Sequence, residues 1–185
     1  MTFNCMIAGV GGQGTVLASK LIAAAAIKKG FDVRTTETIG MAQRGGSVFG
    51  HVRIGDHVGE NIFSPIIPIG KADALIGFEP AETVRQLPFL RKDGSVIVYN
   101  SGNMEMIKFL KENVQKLTVI EAQRLTAHSV KTLNVFLLGA AVQSGILPFD
   151  AETLKQVLTE MLPERFLEIN LKAFEGGLYG HTGAD

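Results

Sequence analysis

One stretch limits what this chain can become: Ile7-Ala8-Gly9-Val10-Gly11-Gly12-Gln13-Gly14-Thr15, set between an apolar run at 3–8 and an alanine-rich run at 16–27. That order reads strand, tight turn, helix. Gly9, Gly11 and Gly14 fit the spacing G-x-G-x-x-G. Glycines let the backbone turn sharply and let an anion approach with no Cβ in the way. The first amides of the helix then point at that anion, with the helix dipole behind them. A phosphate is the natural guest. The same glycines equally serve a plainer purpose, close packing of the first helix on the sheet.

In a dinucleotide-binding domain, an acidic residue about 20 positions further on holds the ribose hydroxyl. Glu37, after Asp32-Val33-Arg34-Thr35-Thr36, stands near that place. It is followed at once by Thr38-Ile39-Gly40-Met41-Ala42-Gln43-Arg44-Gly45-Gly46-Ser47, which is not the run expected after a ribose-binding strand. Gly14-Thr15 also lacks the lysine of a P-loop, which disfavours nucleotide hydrolysis.

The chain has 185 residues, enough for one domain with a real core and short for two. With 46% hydrophobic and 19% charged residues the composition is globular. The 18 basic and 18 acidic side chains cancel to a net charge of +0, so the basic excess of a nucleic-acid binder is missing. The one cysteine, Cys5, makes no internal disulfide and cannot hold an iron–sulfur cluster, which takes about four ligands. It sits in the apolar first strand, where a buried inert thiol is expected. No basic region precedes an apolar block at the N-terminus, so no signal peptide is expected. The longest apolar helix candidate carries Ser19 and Lys20 and ends at Lys28-Lys29, too short and charged for a membrane span. A cytoplasmic protein is the expectation.

Further elements follow from punctuation. A first helix over 13–29 stops at Gly30, and a second strand covers 32–36. Alternation over 47–54 puts Val48, Val52 and Ile54 on one face of a strand, and Ser47, Phe49, His51 and Arg53 on an exposed one. Pro65 and Pro68 make 62–70 a loop or an edge strand. A central strand over 72–78 leads to a helix opening at Glu79-Pro80. A turn at Lys92-Asp93-Gly94 precedes a strand at 95–99, Asn103 caps a helix, and 117–120 is a short strand. Helices follow at 132–144, from Asp150 to about 162, and from Pro163-Glu164 to an end at Gly176-Gly177. The alternation predicts an α/β fold: one Rossmann-like domain over 1–185, a mostly parallel sheet with helices on both faces.

The second informative cluster is Arg44-Gly45-Gly46-Ser47, a forked cation beside exposed amides and a hydroxyl, suited to a carboxylate or phosphate. The plainer reading is a solvated arginine in a turn. If both glycine bends lie at strand carboxyl ends near a topological switch point, they share one crevice. His51, His57, His128 and His181 are scattered and make no metal-ligand spacing. No Gly-x-Ser-x-Gly elbow is present. Glu79 and Glu82 at a helix start are explained by the helix dipole. The residues describe a binding crevice without catalytic or metal-ligating equipment.

The glycine loop taken together with 37–47, with Ala72-Asp73-Ala74 before Glu79-Pro80, and with the run 134–145, resembles a known family over nearly the whole chain. It is similar to the gamma domain of the 2-oxoacid:ferredoxin oxidoreductases, and within that family to the small subunits acting on aryl-pyruvates such as indolepyruvate. The resemblance implies a Rossmann-like domain that does not use NAD. It implies a large alpha subunit as partner in a hetero-oligomer, carrying thiamine diphosphate, magnesium and 4Fe-4S clusters. The reaction implied is oxidative decarboxylation of a 2-oxoacid to an acyl-coenzyme A, with electrons passed to ferredoxin. Gly55-Asp56-His57 is only a partial echo of a thiamine site. On this reading Gly9, Gly11, Gly12, Gln13, Gly14 and Thr15, as cofactor-binding residues, and Arg44, Gly45, Gly46 and Ser47, as substrate-binding residues, shape a pocket for coenzyme A or substrate at the subunit interface. Alternatives are a gamma subunit acting on pyruvate or 2-oxoglutarate, a stand-alone NAD- or FAD-dependent Rossmann protein, and a nucleotide-sensing regulatory module.

Overall fold

The computed structural model describes residues 2–39, 45–55, 62–121 and 130–180. Six strands form one sheet: β1 (Phe3–Val10), β2 (Val33–Ile39), β3 (Ser47–Ile54), β4 (Ala72–Gly77), β5 (Leu90–Asn100) and β6 (Lys116–Glu121). Among the described residues the α-helices are α1 (Thr15–Lys28), α2 (Pro80–Gln86), α3 (Met104–Asn113), α4 (Leu133–Gln143), α5 (Ala151–Met161) and α6 (Glu164–Tyr179). Spatial order is β2-β3-β1-β4-β5-β6. β1, β4, β5 and β6 pair in parallel, and β3 runs antiparallel to both its neighbours. The α/β expectation holds: one mostly parallel sheet between two layers.

Alternation along the strands divides the core. On one face Cys5, Ile7, Val52, Ala74, Ile76 and Ile97 pack beneath α1, α4, α5 and α6. On the other Met6, Ala8, Leu75, Val96 and Val98 pack with Ile107 and Leu110 of α3. Fully burying each of the valine, leucine, isoleucine and methionine side chains among them contributes about 1.5–3 kcal/mol before chain entropy is set against it. Since α1 leaves β1 for one face and α2 leaves β4 for the other, the switch point lies between β1 and β4.

The caps legible in sequence form as local chemistry dictates. Glu79 accepts from the Glu82 amide at 2.8 Å, Asp150 from the Thr153 amide at 2.8 Å and Asn103 from the Met106 amide at 3.3 Å. Gly30 takes φ +85 at the end of α1. Among the described residues no helix is long and apolar enough to cross a membrane.

Three expectations change. The face of β3 bearing His51 is covered: His51 is 4% exposed, accepts a hydrogen bond on Nδ1 from the Ile67 amide at 3.2 Å, and meets Phe49 and Phe89 edge-on. Residues 62–70 are the loop expected, yet Ile67 within them is fully buried. The expected turn at 92–94 lies inside β5, which begins at Leu90 opposite Ala72 before a register shift. Gly176-Gly177 does not end α6. A Cβ on Gly177 would land on the Phe136 carbonyl, and one on Gly139 on the Phe174 carbonyl. These glycines let α4 and α6 touch backbone to backbone, so the helix continues through them to Tyr179.

Candidate functional site

β1 ends and α1 begins around a loop that uses its glycines for different reasons. Gly12 and Gly14 have φ +97 and +80, in the left-handed region that favours glycine. Gly9 is extended, and its reason is space: a Cβ there would lie 2.8 Å from Thr15 Cγ2 and 2.9 Å from Phe78 Cβ. Gly14 caps α1, and no side chain caps it with a hydrogen bond. The amides of the first turn and the dipole behind them are therefore presented to whatever lies above the loop.

Gln13 spends both ends of its amide inside the protein. Its Oε1 accepts from the Val10 amide at 2.9 Å, and its Nε2 donates to the Phe78 carbonyl at 3.3 Å. It thus clasps the carboxyl ends of β1 and β4 together. Thr15 is 4% exposed and packs under the loop.

The second glycine bend comes to the first. The Gly11 amide donates to the Gly46 carbonyl at 2.9 Å, and Val10 pairs with Ser47. Gly45 has φ +77 with open space around it. Arg44 lies outside the described residues. The Ser47 hydroxyl donates to Glu82 at 2.6 Å, and Glu82 is 7% exposed. Arg85 stands 3.7 Å from the same carboxylate. A buried carboxylate on the α2 side repels a bound anion, so the crevice favours one on the α1 side.

Sequence reasoning passed over Asn134 as a functional side chain. It is 4% exposed at the start of α4, and its Nδ2 would lie 2.6 Å from a Cβ on Gly14. Its Oδ1 is the one buried side-chain oxygen or nitrogen without a hydrogen-bond partner among the described residues. Such an orphan costs about 1–3 kcal/mol, which a ligand donor would recover. The signal was available: Asn134 is polar in a run, Leu133 to Ala141, that is otherwise apolar and wholly buried. Asn134 also lines a cleft of about 430 Å³ with Leu17, Lys131, Leu162, Phe166 and Ile169. Another hollow of about 430 Å³, bordered by Val84, Leu90, Phe109 and Val114, lies toward the amino end of β5, away from the glycine bends. Ligands of open α/β sheets bind at strand carboxyl ends, which selects the first.

The remaining candidates sort by position. β3 separates β2 from β1, so Glu37 stands two strand spacings, roughly 10 Å, from the strand that carries the glycine loop. A Cβ on Gly50 would approach both the Ser19 hydroxyl and Glu37 Cγ, which places Glu37 over β3 under α1. The ribose-binding adjacency of a dinucleotide fold is absent at this pair. Burial pushes the Cys5 thiol up to about 12, with Asp73 adding to it, so no thiolate forms near neutral pH. His57, His128, His181 and Asp56 lie outside the described residues. Among those described, no group of three His, Cys, Asp or Glu side chains is placed to hold a metal.

The description "Pyruvate ferredoxin/flavodoxin oxidoreductase" matches residues 4–179. The indolepyruvate oxidoreductase subunit IorB of Pyrococcus horikoshii is 36% identical over 194 residues, covering 95% of this chain and 94% of that one. The pyruvate/ketoisovalerate oxidoreductases common subunit gamma of Thermococcus kodakarensis is 28% identical, covering 90% of each. Among solved structures, the 2-oxoglutarate:ferredoxin oxidoreductase from Magnetococcus marinus, with 2-oxoglutarate, coenzyme A and succinyl-CoA bound, superposes with a TM-score of 0.76 at 23% identity. That alignment covers 100% of this chain and 32% of the other. The chain belongs to the pyruvate ferredoxin/flavodoxin oxidoreductase family.

Proposed function

We propose that this chain is the small subunit of a cytoplasmic 2-oxoacid:ferredoxin oxidoreductase whose substrate is an aryl-pyruvate, indolepyruvate first. The complex decarboxylates the 2-oxoacid oxidatively, transfers the acyl group to coenzyme A and passes the electrons to ferredoxin. Thiamine diphosphate, magnesium and 4Fe-4S clusters belong to the large partner subunit. The donor set here does not suit the clusters: one cysteine, buried and held protonated, cannot hold a 4Fe-4S centre.

This chain's share is a cradle for coenzyme A. The observation that carries it is the meeting of two glycine bends, Gly11 amide to Gly46 carbonyl, over the uncapped start of α1. Amides and dipole there suit phosphate. The adjoining cleft supplies apolar walls at Leu17, Phe166 and Ile169, and an acceptor at Asn134 Oδ1. Those features match the phosphates, the flexible arm and the amide donors of coenzyme A. Arg44, beside Gly45 and Gly46, supplies the forked cation for a carboxylate or phosphate. Higher identity to the indolepyruvate subunit than to the pyruvate/ketoisovalerate subunit supports the aryl substrate over pyruvate. β3 standing between β1 and β2 argues against the NAD or FAD reading.

The test is co-expression with the large subunit, anaerobic purification, and viologen or ferredoxin reduction with indolepyruvate, phenylpyruvate, pyruvate and 2-oxoglutarate. The complex turns over indolepyruvate fastest and requires coenzyme A, while the small chain alone is colourless and inactive. Faster turnover of pyruvate, or turnover by the lone chain, defeats the reading. Arg44→Ala raises KM for coenzyme A or for the 2-oxoacid about tenfold, the loss of one charge-assisted hydrogen bond. If both constants are unchanged, Arg44 is no part of the cradle.

A further inference from the structure

The two faces of the sheet are not covered alike. On the α1 side, that helix lies across β1, β2 and β3. On the other side, α2 packs on β1, β4 and β5, and α3 on β6. Among the described residues, no helical layer comparable to α1 lies over β2 and β3 on that second face. Register places Arg34, Thr36 and Thr38 of β2 beside Arg53, His51 and Phe49 of β3 on this side. β2 and β3 pair antiparallel, and antiparallel strands can leave one face to solvent, so what lies over this half-face is decided by the side chains beside it.

Among the described residues, the cover there comes from residues 62–70 with Phe89 against His51, and the segment 62–70 is held firmly. Arg53 donates from Nη1 to the Ser64 carbonyl at 2.7 Å, and from Nε to Asn4 Oδ1 at 2.9 Å. His51 takes the Ile67 amide, and the Gly70 amide donates to the Pro88 carbonyl at 2.9 Å. Pro65 and Pro68 fix two further φ angles. So secured, the segment buries Ile62 and Ile67 and turns Phe63, Ile66 and Ile69 outward. Phe63 is 93% exposed, Ile69 74% and Ile66 56%. Single exposed apolar residues are ordinary; three on one short anchored segment mark a contact surface. Their fixed presentation lowers the ordering cost of association.

Its occupant follows from how the same fold is used elsewhere. In the Magnetococcus marinus enzyme the whole of this chain corresponds to 32% of a longer polypeptide, whose remainder is tethered to the domain. The indolepyruvate oxidoreductase subunit IorB of Pyrococcus horikoshii, matched over 94% of its length, is a subunit in its own right, so in that enzyme the remainder is held by surface contact. We infer that residues 62–70, together with the adjoining exposed edge of β2 at Arg34 and Thr38, seat the large thiamine-bearing subunit; this rests on the subunit reading above. Phe63 and Ile69 are its apolar anchors, of the kind that dominate interface energies.

The experiment compares wild type, the double variant Phe63→Ser/Ile69→Ser, and Ile27→Ser, an exposed position on the opposite face. Each is titrated against the purified large subunit. Wild type and Ile27→Ser bind alike, while the double variant loses at least about tenfold in affinity with its thermal unfolding unchanged. Hydrogen exchange on the wild-type complex gives an independent readout: amides of 62–70 and β2 slow on binding. Wild-type affinity in the double variant, or unchanged exchange in that segment, overturns the inference and leaves the subunit reading standing. A dimer of the lone chain abolished by the double variant, with binding of the large subunit intact, assigns the surface to a second copy and also overturns it. Failure of the wild-type chain to bind the large subunit defeats the subunit reading itself, and this inference with it.

Discussion

Gly12 and Gly14 differ in what a side chain would meet. Both need φ near +80 to +97, so alanine at either carries the left-handed penalty of about 1–2 kcal/mol. At Gly12 a Cβ finds nothing within 4 Å. At Gly14 it lies 2.6 Å from Asn134 Nδ2, and Asn134 is buried in α4 with little room to withdraw. Overpacking then adds about 1–3 kcal/mol. Urea denaturation therefore ranks Gly14→Ala clearly below Gly12→Ala in stability; equal losses would mean that Asn134 moves freely. The left-handed turn was legible in the glycine spacing. The contact with Asn134 was not, because residues distant in sequence meet only after α4 has packed beside α1. Nor was the engagement of Gln13 with Phe78, which depends on β4 lying next to β1.

At the scale of elements, the clearest misreading concerns Gly176-Gly177. Local rules make a glycine pair a helix end. Tertiary contact overrides them, since Gly177 faces the Phe136 carbonyl and Gly139 faces the Phe174 carbonyl. Gly177→Ala forces α6 away from the buried run of α4, Leu133 to Ala141, costing about 1–3 kcal/mol despite better helix propensity. A rise in the urea midpoint would refute the close approach. The caps at Asn103 and Asp150 were legible because they are local; the covering of His51 was not, because it comes from residues 62–70 and Phe89. That covering has a pH signature. Burial lowers the His51 pKa below its ordinary 6.5, so as pH falls the unfolded chain binds the proton first. Its contribution is full above about pH 6.5 and is lost as pH falls below that, toward the lowered folded value. Urea midpoints measured at about pH 7.5 and 5.5 fall further in wild type than in His51→Asn, which keeps an acceptor and carries no titrating ring. Equal slopes would show that the buried ring contributes nothing to acid sensitivity.

At the scale of the whole molecule, one reversed strand decides where the two glycine bends go. β3 starts beside the end of β1 because it runs antiparallel, pairing Val10 with Ser47. Had it run parallel, residues 45–46 would open at the other end of the sheet. Period-two alternation reports which face a residue takes and is blind to strand direction, so the fold class was legible and this convergence was not. The same reversal leaves the far face of β2 and β3 to residues 62–70. It also bears on how a partner is held there. The 18 basic and 18 acidic residues cancel, so the chain has no net charge to steer association. The exposed anchors Phe63, Ile66 and Ile69 are apolar, and screening leaves apolar burial almost untouched. Affinity for the large subunit should therefore change less than about threefold between low salt and roughly 0.5 M NaCl, where exposed ion pairs are screened beyond a few ångströms. A steep fall in that titration would move the association from the apolar segment to the exposed cations beside it, Arg34 and Lys71.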